Sequence, residues 1–265
     1  MRIAVVILGL VGLSLFIALI AYEGFGEIVS AVAAAGWGLL VVALYRASTL
    51  LCDAAGWRCM LPPGERPGLG TLMRLRWMTE AVNGLVPAAQ IGGEIVRVRL
   101  IVLRGTSGAE AGASVIVDMT AGVATLMLFG LMGVAFLFAT GDQDGEAVNM
   151  LIGLGVFSVL VAGFFLAQGA GMFSRMARVL DRVTGGREAF SVLAGAAALD
   201  KAVSAIYRRR ADVAGGLVLR FLGWVFGVGE VWLALYFLGY PVTLAEAFFL
   251  ESLVQAARAA SFAIP

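Results

Sequence analysis

The residues best suited to binding chemistry lie in the segment 80–99, which reads Glu-Ala-Val-Asn-Gly-Leu-Val-Pro-Ala-Ala-Gln-Ile-Gly-Gly-Glu-Ile-Val-Arg-Val-Arg. Pro87 interrupts a helix and the Gly92-Gly93 pair weakens one, yet both flanks are apolar enough to enter a bilayer. A broken, charged stretch of backbone is tolerated at membrane depth only where protein or a water-filled cavity surrounds it. The segment is therefore our first candidate for a binding site. Its candidate residues are Glu80, Asn83, Pro87, Gly92, Gly93, Glu94 and Arg97.

Glu94 is expected to open a helix, and this position has two interpretations. The N-terminus of a helix offers unpaired N–H donors and a partial positive charge, which can hold a headgroup phosphate or carboxylate. Glu94 could instead be the acidic residue that caps this helix. Arg97 and Arg99 could bind a lipid phosphate in bidentate fashion, or they could be ordinary basic residues at the membrane interface. Asn83 could brace the broken backbone or contact a ligand.

Further charged residues fall inside the apolar runs of the chain. They are Asp118, Arg220, Glu230, Glu251 and Arg258. Charges within a membrane are candidates for function by default, because placing them in lipid is costly. The alternative is a structural ion pair, for which Arg46 and Arg258 are possible partners of the acids. Glu230 and Arg258 join the candidate site residues.

The composition argues against most chemistry of soluble enzymes. The chain has no histidine, which is the usual general base and the commonest metal ligand. It also has no Cys-x-x-Cys pair, P-loop or Gly-x-Ser-x-Gly elbow. Cys52 and Cys59 lie near a predicted cytoplasmic boundary and are expected to stay reduced. The net charge of +1 gives no reason to expect nucleic acid as a partner. We therefore expect no catalytic residue, no metal and no cofactor.

Hydropathy indicates an all-α polytopic membrane protein. Of the residues, 61% are hydrophobic and only 14% are charged, and the mean hydropathy is +0.95. Apolar runs that could cross ~30 Å of hydrocarbon as helices recur about six times along the chain. They lie at 3–22, 36–55, 112–139, 147–168, 213–238 and 244–265. We predict a single membrane domain over residues 1–265 with about six transmembrane helices.

The placement of arginine predicts the orientation of these spans. The loops expected at 23–30, 140–146 and 239–243 contain no Arg or Lys, whereas 56–76 and 171–212 are rich in Arg. The positive-inside rule places the basic segments and the N-terminus in the cytoplasm.

Because Arg76 and Arg97 both read as cytoplasmic charges, the segment 70–104 must enter and leave the membrane on the same side. We predict a re-entrant hairpin with its tip at Pro87. The alternative is a pair of helices that lie on the membrane surface. The insert 171–212 is predicted to be amphipathic helix, with a basic face that is solvated, rests on anionic lipid, or both.

The order of the spans indicates two related halves of opposite orientation. Pro87 and Pro265 each follow the start of a predicted span by about 50 residues, and paired helix breaks mark the substrate site in inverted-repeat transporters. Alignment of the two prolines places Glu80 opposite Arg258. We expect these two charges to approach each other, because each would otherwise be unpaired within the membrane.

The run from Asn83 to Arg97, with Pro87, Gly92-Gly93 and Glu94 at their spacing, resembles the hallmark of the flippase-like transmembrane domain shared with lysylphosphatidylglycerol synthases. General likeness points to the branch of hopanoid-associated integral membrane proteins. That family continues past a second proline with a Gly-Gly-x-Gly-x-x-Glu stretch, so a chain that stops at Pro265 is expected to be truncated. The aminoacyl-transfer domain of the synthases has no counterpart here, which argues against aminoacyl-lipid synthesis.

The resemblance implies that the protein translocates or presents an amphiphilic lipid, either a phospholipid or a hopanoid-like molecule, between leaflets. The location that it implies is the inner membrane of a bacterium. Membrane lipids are then its partners. Since no ATP site is visible, a gradient or mass action would drive the movement. The alternative is a non-catalytic scaffold or accessory subunit that holds lipid-biosynthesis enzymes through 171–212.

Overall fold

The computed structural model describes residues 24–85, 91–139, 162–184 and 189–263, and a few isolated positions (14, 17, 18, 22, 155, 158 and 159). Helix is the only regular secondary structure in these residues, which confirms the all-α prediction for them. The helices are α1 (Phe25–Ala35), α2 (Gly38–Met60), α3 (Leu69–Leu85), α4 (Ile91–Val102), α5 (Gly108–Ala139), α6 (Met172–Thr184), α7 (Ala189–Arg208), α8 (Arg210–Phe237) and α9 (Leu244–Ala263).

Three of the described helices are long and apolar enough to cross a membrane, namely α2, α5 and α8. They correspond to the predicted spans at 36–55, 112–139 and 213–238. The helix α9 covers most of the predicted span at 244–265, and its 20 residues include three charged ones, Glu246, Glu251 and Arg258. The runs 3–22 and 147–168 lie mostly outside the described residues, so the number of spans stays a prediction.

The loop predicted at 23–30 is wrong for most of its length. The helix α1 begins at Phe25, directly after Gly24, whose positive φ of 91° changes the direction of the chain. Its residues are mainly Ala, Val and Ile, so hydrophobicity continues where we expected a turn. Gly36, with a φ of 49°, ends α1 and leads into α2.

The helices α2 and α8 pack antiparallel along most of their length. Gly38 at the start of α2 lies against Phe237 at the end of α8, while Gly56 lies against Gly216. A Cβ atom at Gly56 would come within 3.2 Å of the Gly216 carbonyl oxygen, so the two backbones approach closely. Small residues permit such contact between membrane helices. Antiparallel packing of these two spans is what an inverted repeat requires, but the repeat itself stays a prediction.

The helices α3 and α4 form the predicted helical hairpin. Because α4 begins at Ile91, Glu94 lies in its first turn, and the expectation that Glu94 opens the helix is wrong by three residues. The connecting residues 86–90, which include Pro87, lie outside the described residues. The Gly93 N–H donates to the Asn83 Oδ1 atom at 2.8 Å and ties the two helices together next to the connection. Leu72, Leu75 and Ile101 of the hairpin are buried in the same core as residues of α2 and α5. The hairpin therefore lies along two candidate spans, which favours the re-entrant interpretation.

The insert at 171–212 contains two helices and the start of α8, and one face of α7 packs on the bundle while its other residues stay exposed. Val203 and Ile206 of α7 are buried in the main hydrophobic core. Tyr207 donates to Gln168 Oε1 at 2.6 Å, and Gln168 Nε2 donates to Thr120 Oγ1 of α5 at 2.8 Å. Burial raises the pKa of Tyr207 to about 12, so its hydroxyl stays protonated and able to donate at physiological pH.

We expect Gly56→Leu to destabilise the bundle, because the added side chain would force α2 and α8 apart. Overpacking of this kind costs about 1–3 kcal/mol or more. Heating in detergent followed by size-exclusion chromatography would measure the loss of folded protein. Gly70→Leu is the control, since nothing lies within 4 Å of its Cβ position. Equal stability of the two variants would contradict the close packing of α2 on α8.

Candidate functional site

Six charged side chains from α2, α3, α4, α5 and α8 meet inside the bundle, and we call them the sealed cluster. They are Asp53, Arg76, Glu94, Arg97, Asp118 and Arg220. None of these side chains is more than 22% exposed, and those of Arg97 and Asp118 are fully buried. With three basic and three acidic members, the cluster is neutral overall. Neutrality is what permits this many charges to lie in an apolar interior.

Asp118 on α5 lies at the centre of the sealed cluster. Its Oδ2 atom accepts hydrogen bonds from Arg97 Nη1 at 2.8 Å and from Arg76 Nη1 at 3.0 Å. Its Oδ1 atom lies 3.6 Å from Arg220 Nε, which is an ion-pair distance without a hydrogen bond. One carboxylate therefore connects α5 to both helices of the hairpin and to α8.

Asp53 on α2 extends the sealed cluster. Its Oδ2 atom accepts from Arg76 Nη2 at 3.1 Å, and its Oδ1 atom accepts from Arg220 Nη1 at 2.6 Å. Arg76 and Arg220 thus each bridge two aspartates on different helices. The result is a ring of ion pairs that holds the hairpin against α2, α5 and α8.

Arg97 is held by an aromatic ring as well as by acids. Its guanidinium carbon lies 4.8 Å from the centre of the Trp57 ring, and its Nη2 atom lies 2.7 Å from Glu94 Oε2. Trp57 is itself fixed by donation from its Nε1 atom to Ser114 Oγ at 3.2 Å. A guanidinium over the face of tryptophan is a favourable cation–π contact. Arg97 is therefore buried inside the protein, and its assignment to the cytoplasmic side of the membrane stays a prediction.

Glycine makes room for the side chain of Arg220. A Cβ atom at Gly122 would lie 2.6 Å from the Arg220 Nη2 atom, and one at Gly56 would lie 3.2 Å from its Cγ atom. Arg220 thus passes between α2 and α5 at two positions that lack a side chain. The sequence gives these glycines no mark that separates them from the other 33 of the 35 in the chain.

A second group of charges, which we call the open triad, consists of Arg46 on α2, Glu80 on α3 and Glu230 on α8. Arg46 Nη2 lies 3.3 Å from Glu80, and Arg46 Nη1 lies 3.2 Å from Glu230. The side chains of these three residues are 50%, 37% and 26% exposed, respectively. The triad therefore has one cation for two anions, and it is open to its surroundings where the sealed cluster is not.

The open triad and the sealed cluster lie at different levels of the spans. Arg46 and Asp53 are seven positions apart on α2, which corresponds to about 10 Å along the helix. Arg220 and Glu230 on α8 are separated by about 15 Å on the same reasoning. Charged groups therefore lie at two levels along both α2 and α8.

The helix α9 adds a polar face at the level between these groups. Glu251, Ser252 and Gln255 are buried, and Gln255 Nε2 donates to Glu251 Oε1 at 2.8 Å. Glu251 lies against Gly227 of α8, where a Cβ atom would be 3.2 Å from its Oε1 atom. Glu251, which the sequence singled out as an intramembrane acid, thus makes a further polar contact with α8.

The candidate residues chosen from sequence fall into distinct positions. Glu80 and Glu230 join the open triad, and Glu94 and Arg97 join the sealed cluster. Arg46 is the partner of Glu230, as one of the predicted alternatives had it. Pro87 and the side chain of Arg258 lie outside the described residues, so the pairing of Glu80 with Arg258 stays a prediction.

Asn83, Gly92 and Gly93 concern the shape of the hairpin. Asn83 braces the backbone at Gly93, which was one of its two predicted roles. A Cβ atom at Gly93 would lie 2.5 Å from both the Asn83 Oδ1 atom and the Thr79 carbonyl oxygen. At Gly92 the nearest atom would be 3.9 Å away. Of the two glycines, therefore, only Gly93 is required for the close approach of α3 and α4.

Sequence reasoning missed Asp53 and the burial of Arg76. Asp53 lies at the end of an apolar run, where a single acid was the available signal. Arg76 was counted among the cytoplasmic arginines, yet the residue is 8% exposed and bridges two aspartates. Within the described residues, no group of three or more acidic or cysteine side chains could hold a metal ion.

Comparison with known proteins gives one finding. A family model described as lysylphosphatidylglycerol synthase TM region matches residues 3–265, which is almost the whole chain. No curated protein gives a significant match, and no solved structure does. The resemblance of residues 83–97 to that family is confirmed, while the assignment to its hopanoid-associated branch stays a prediction.

We expect Asp118→Leu to destabilise the protein strongly, because it leaves a surplus arginine buried without its acid. Removing one partner of a buried ion pair costs about 3–5 kcal/mol. The double variant Asp118→Leu with Arg97→Met restores neutrality and should be more stable than Asp118→Leu alone. Thermal unfolding of the purified variants in detergent would measure both effects. Additive losses in the double variant would show that the two charges are not coupled.

We expect Gly93→Ala to separate α3 from α4, because the new methyl group would meet Asn83 and a backbone oxygen. Gly92→Ala is the matched control, one position away in the same turn. It should keep or improve stability, since alanine favours helix over glycine by about 1 kcal/mol. Limited proteolysis of the hairpin, with the melting temperature in detergent, would distinguish the two. Equal behaviour of both variants would exclude the close contact at Gly93.

Proposed function

Because the chain belongs to the family of the lysylphosphatidylglycerol synthase transmembrane region, we propose that it moves an amphiphilic lipid between the leaflets of a bacterial inner membrane. Its lipid is a phospholipid or a hopanoid-like molecule, and its N-terminus is cytoplasmic. The proposal assigns no catalysis to these residues, because the match is to the transmembrane region of the synthases.

The open triad is the observation that carries this proposal. A charged side chain in the hydrocarbon of a bilayer costs at least about 2.5–3.5 kcal/mol. Arg46 and Glu230 each lie roughly 10 Å from the nearer end of their span, taking 1.5 Å per residue. At that depth, side chains as exposed as these need a polar phase around them. Water or the headgroup of a lipid supplies it.

The surplus acid makes the triad suited to exchange partners. Arg46 divides its guanidinium between Glu80 and Glu230, so neither carboxylate is fully paired. An anionic headgroup could compete for Arg46, and a cationic group could compete for the acids. The tails of the lipid would stay in the bilayer beside the bundle. The open triad would thus act as a transfer site for headgroups.

The sealed cluster gives the open triad a rigid support. Glu80 and Arg76 lie one turn apart on α3, so the ion pairs of Arg76 fix the helix that carries Glu80. Arg220 fixes α8 in the same way below Glu230.

A scaffold for lipid-biosynthesis enzymes remains the second candidate function. It would use the insert 171–212, where α6 carries exposed apolar side chains. In α7, the residues that face away from the bundle are exposed as well, so either helix could hold such a partner. A scaffold has no need for charges at the depth of the open triad.

A lipid-movement assay separates the two functions. Purified protein in liposomes should speed the movement of a fluorescent phosphatidylglycerol between leaflets, measured by chemical bleaching from outside. Arg46→Gln and Glu230→Gln should slow this movement by about tenfold or more, because both remove the charge pairing within the membrane. Arg74→Gln is the control, since Arg74 is an exposed residue on the same hairpin helix as Glu80.

The same variants should remain folded. Exposed ion pairs contribute about 0–1 kcal/mol, so Arg46→Gln should melt close to the unmodified protein, unlike Asp118→Leu. If the protein does not accelerate lipid movement, or if the triad variants move lipid at the normal rate, the translocation proposal is wrong.

A further inference from the structure

We infer that α6 is a docking surface for the anionic leaflet at one end of the bundle, with Met176 and Val179 inserted at the boundary between headgroups and acyl chains. This inference is independent of the proposed function. It concerns a face of the chain that neither the sealed cluster nor the open triad uses.

The first step is that one side of α6 is fixed to the bundle. The Asp200 carboxylate of α7 accepts hydrogen bonds from the Phe173 N–H at 3.1 Å and from the Ser174 N–H at 2.7 Å. A carboxylate on free N–H groups in the first turn also favours the helix dipole. Phe173 packs on the main core, and Ala177 is buried. The orientation of α6 around its own axis is therefore set.

The second step is that this orientation turns apolar side chains outward. Met176 is 61% exposed and Val179 is 59% exposed. Residues three apart are neighbours on a helix surface, so the two form one stripe. Arg175 and Arg178 are exposed on the same helix. A helix with an apolar stripe beside basic side chains is the pattern of a helix that lies in a membrane interface.

The third step is the level at which α6 lies. Leu199, next to Asp200, approaches Gly112 of α5, where a Cβ atom would be 3.4 Å from its Cδ1 atom. Gly112 is four residues after the start of that span, or about 6 Å along it. The headgroup region of a bilayer extends over roughly this depth on each side of the hydrocarbon. The start of α6 is therefore held at the height of the interface.

The fourth step is the charge of this end of the bundle. Because α2 ends where α5 and α8 begin, their terminal residues and the ends of the hairpin gather here. Three acids lie at this end, Glu65, Glu110 and Asp212, and Asp212 pairs with two of the arginines. They are outnumbered by the basic residues, which include Arg58, Arg66, Arg99, Arg104, Arg208, Arg209 and Arg210. Such an excess of arginine favours the anionic cytoplasmic leaflet. Charge and apolar stripe together point to lipid as the occupant of this face.

Depth measurement on the full chain tests the inference. Met176→Cys is labelled with an environment-sensitive fluorophore after replacement of Cys52 and Cys59 by alanine, and the protein is placed in vesicles of phosphatidylcholine with phosphatidylglycerol. Phospholipid with a spin label near its headgroup should quench this label about twofold more than the same label at Arg178→Cys, as expected for an inserted stripe. Iodide in the water should show the reverse order.

Two quenching results would show that the stripe does not enter the bilayer. One is equal quenching by iodide at both positions, which would leave the stripe in water. The other is protection from iodide without quenching by labelled lipid, which would mean that protein covers the stripe. Val179→Cys repeats the test if Met176→Cys fails to fold. Vesicles of phosphatidylcholine alone, and Arg175→Gln in the mixed vesicles, should each lower the quenching by lipid. Unchanged quenching in both would exclude recognition of anionic lipid.

Discussion

The Asp118 carboxylate, buried among three guanidinium groups, is the interaction on which the arrangement of the other helices depends. A carboxylate that leaves water needs compensating charge and hydrogen bonds close by. Arg76, Arg97 and Arg220 supply them from α3, α4 and α8. In turn, each arginine needs a further acid, which Asp53 and Glu94 provide. The positions of several helices are therefore linked through charge neutrality rather than through apolar packing alone.

The sealed cluster and the open triad are built from the same types of side chain, arginine and acid, but have different roles. In the sealed cluster, acids and arginines balance and are shielded, so the pairs hold helices in place. In the open triad, one arginine serves two acids and all three side chains remain partly exposed. Exposure and charge imbalance are what make the triad the better candidate for binding a headgroup. Burial and balance make the sealed cluster its support.

Local patterns in the sequence predicted much of the fold. Hydropathy located α2, α5 and α8, and the Pro87 and Gly92-Gly93 breaks located the hairpin, because these signals act within one or two turns of chain. The prediction of a loop at 23–30 was wrong, because we interpreted the absence of Arg and Lys as a turn and overlooked the apolar content of α1. The sequence also did not predict the burial of Arg76, because a positive charge near the end of a span usually lies at the membrane interface.

By itself, the sequence determined that the protein is helical and membrane-bound, and that Glu80, Glu94, Arg97 and Glu230 merit attention. Only the tertiary structure decided which charges meet. Arg220 and Asp53 are 167 residues apart, and Arg46 and Glu230 are 184 apart. No local pattern encodes such pairs, because helix packing through glycine contacts sets them. The same packing decides which charges are shielded and which remain open.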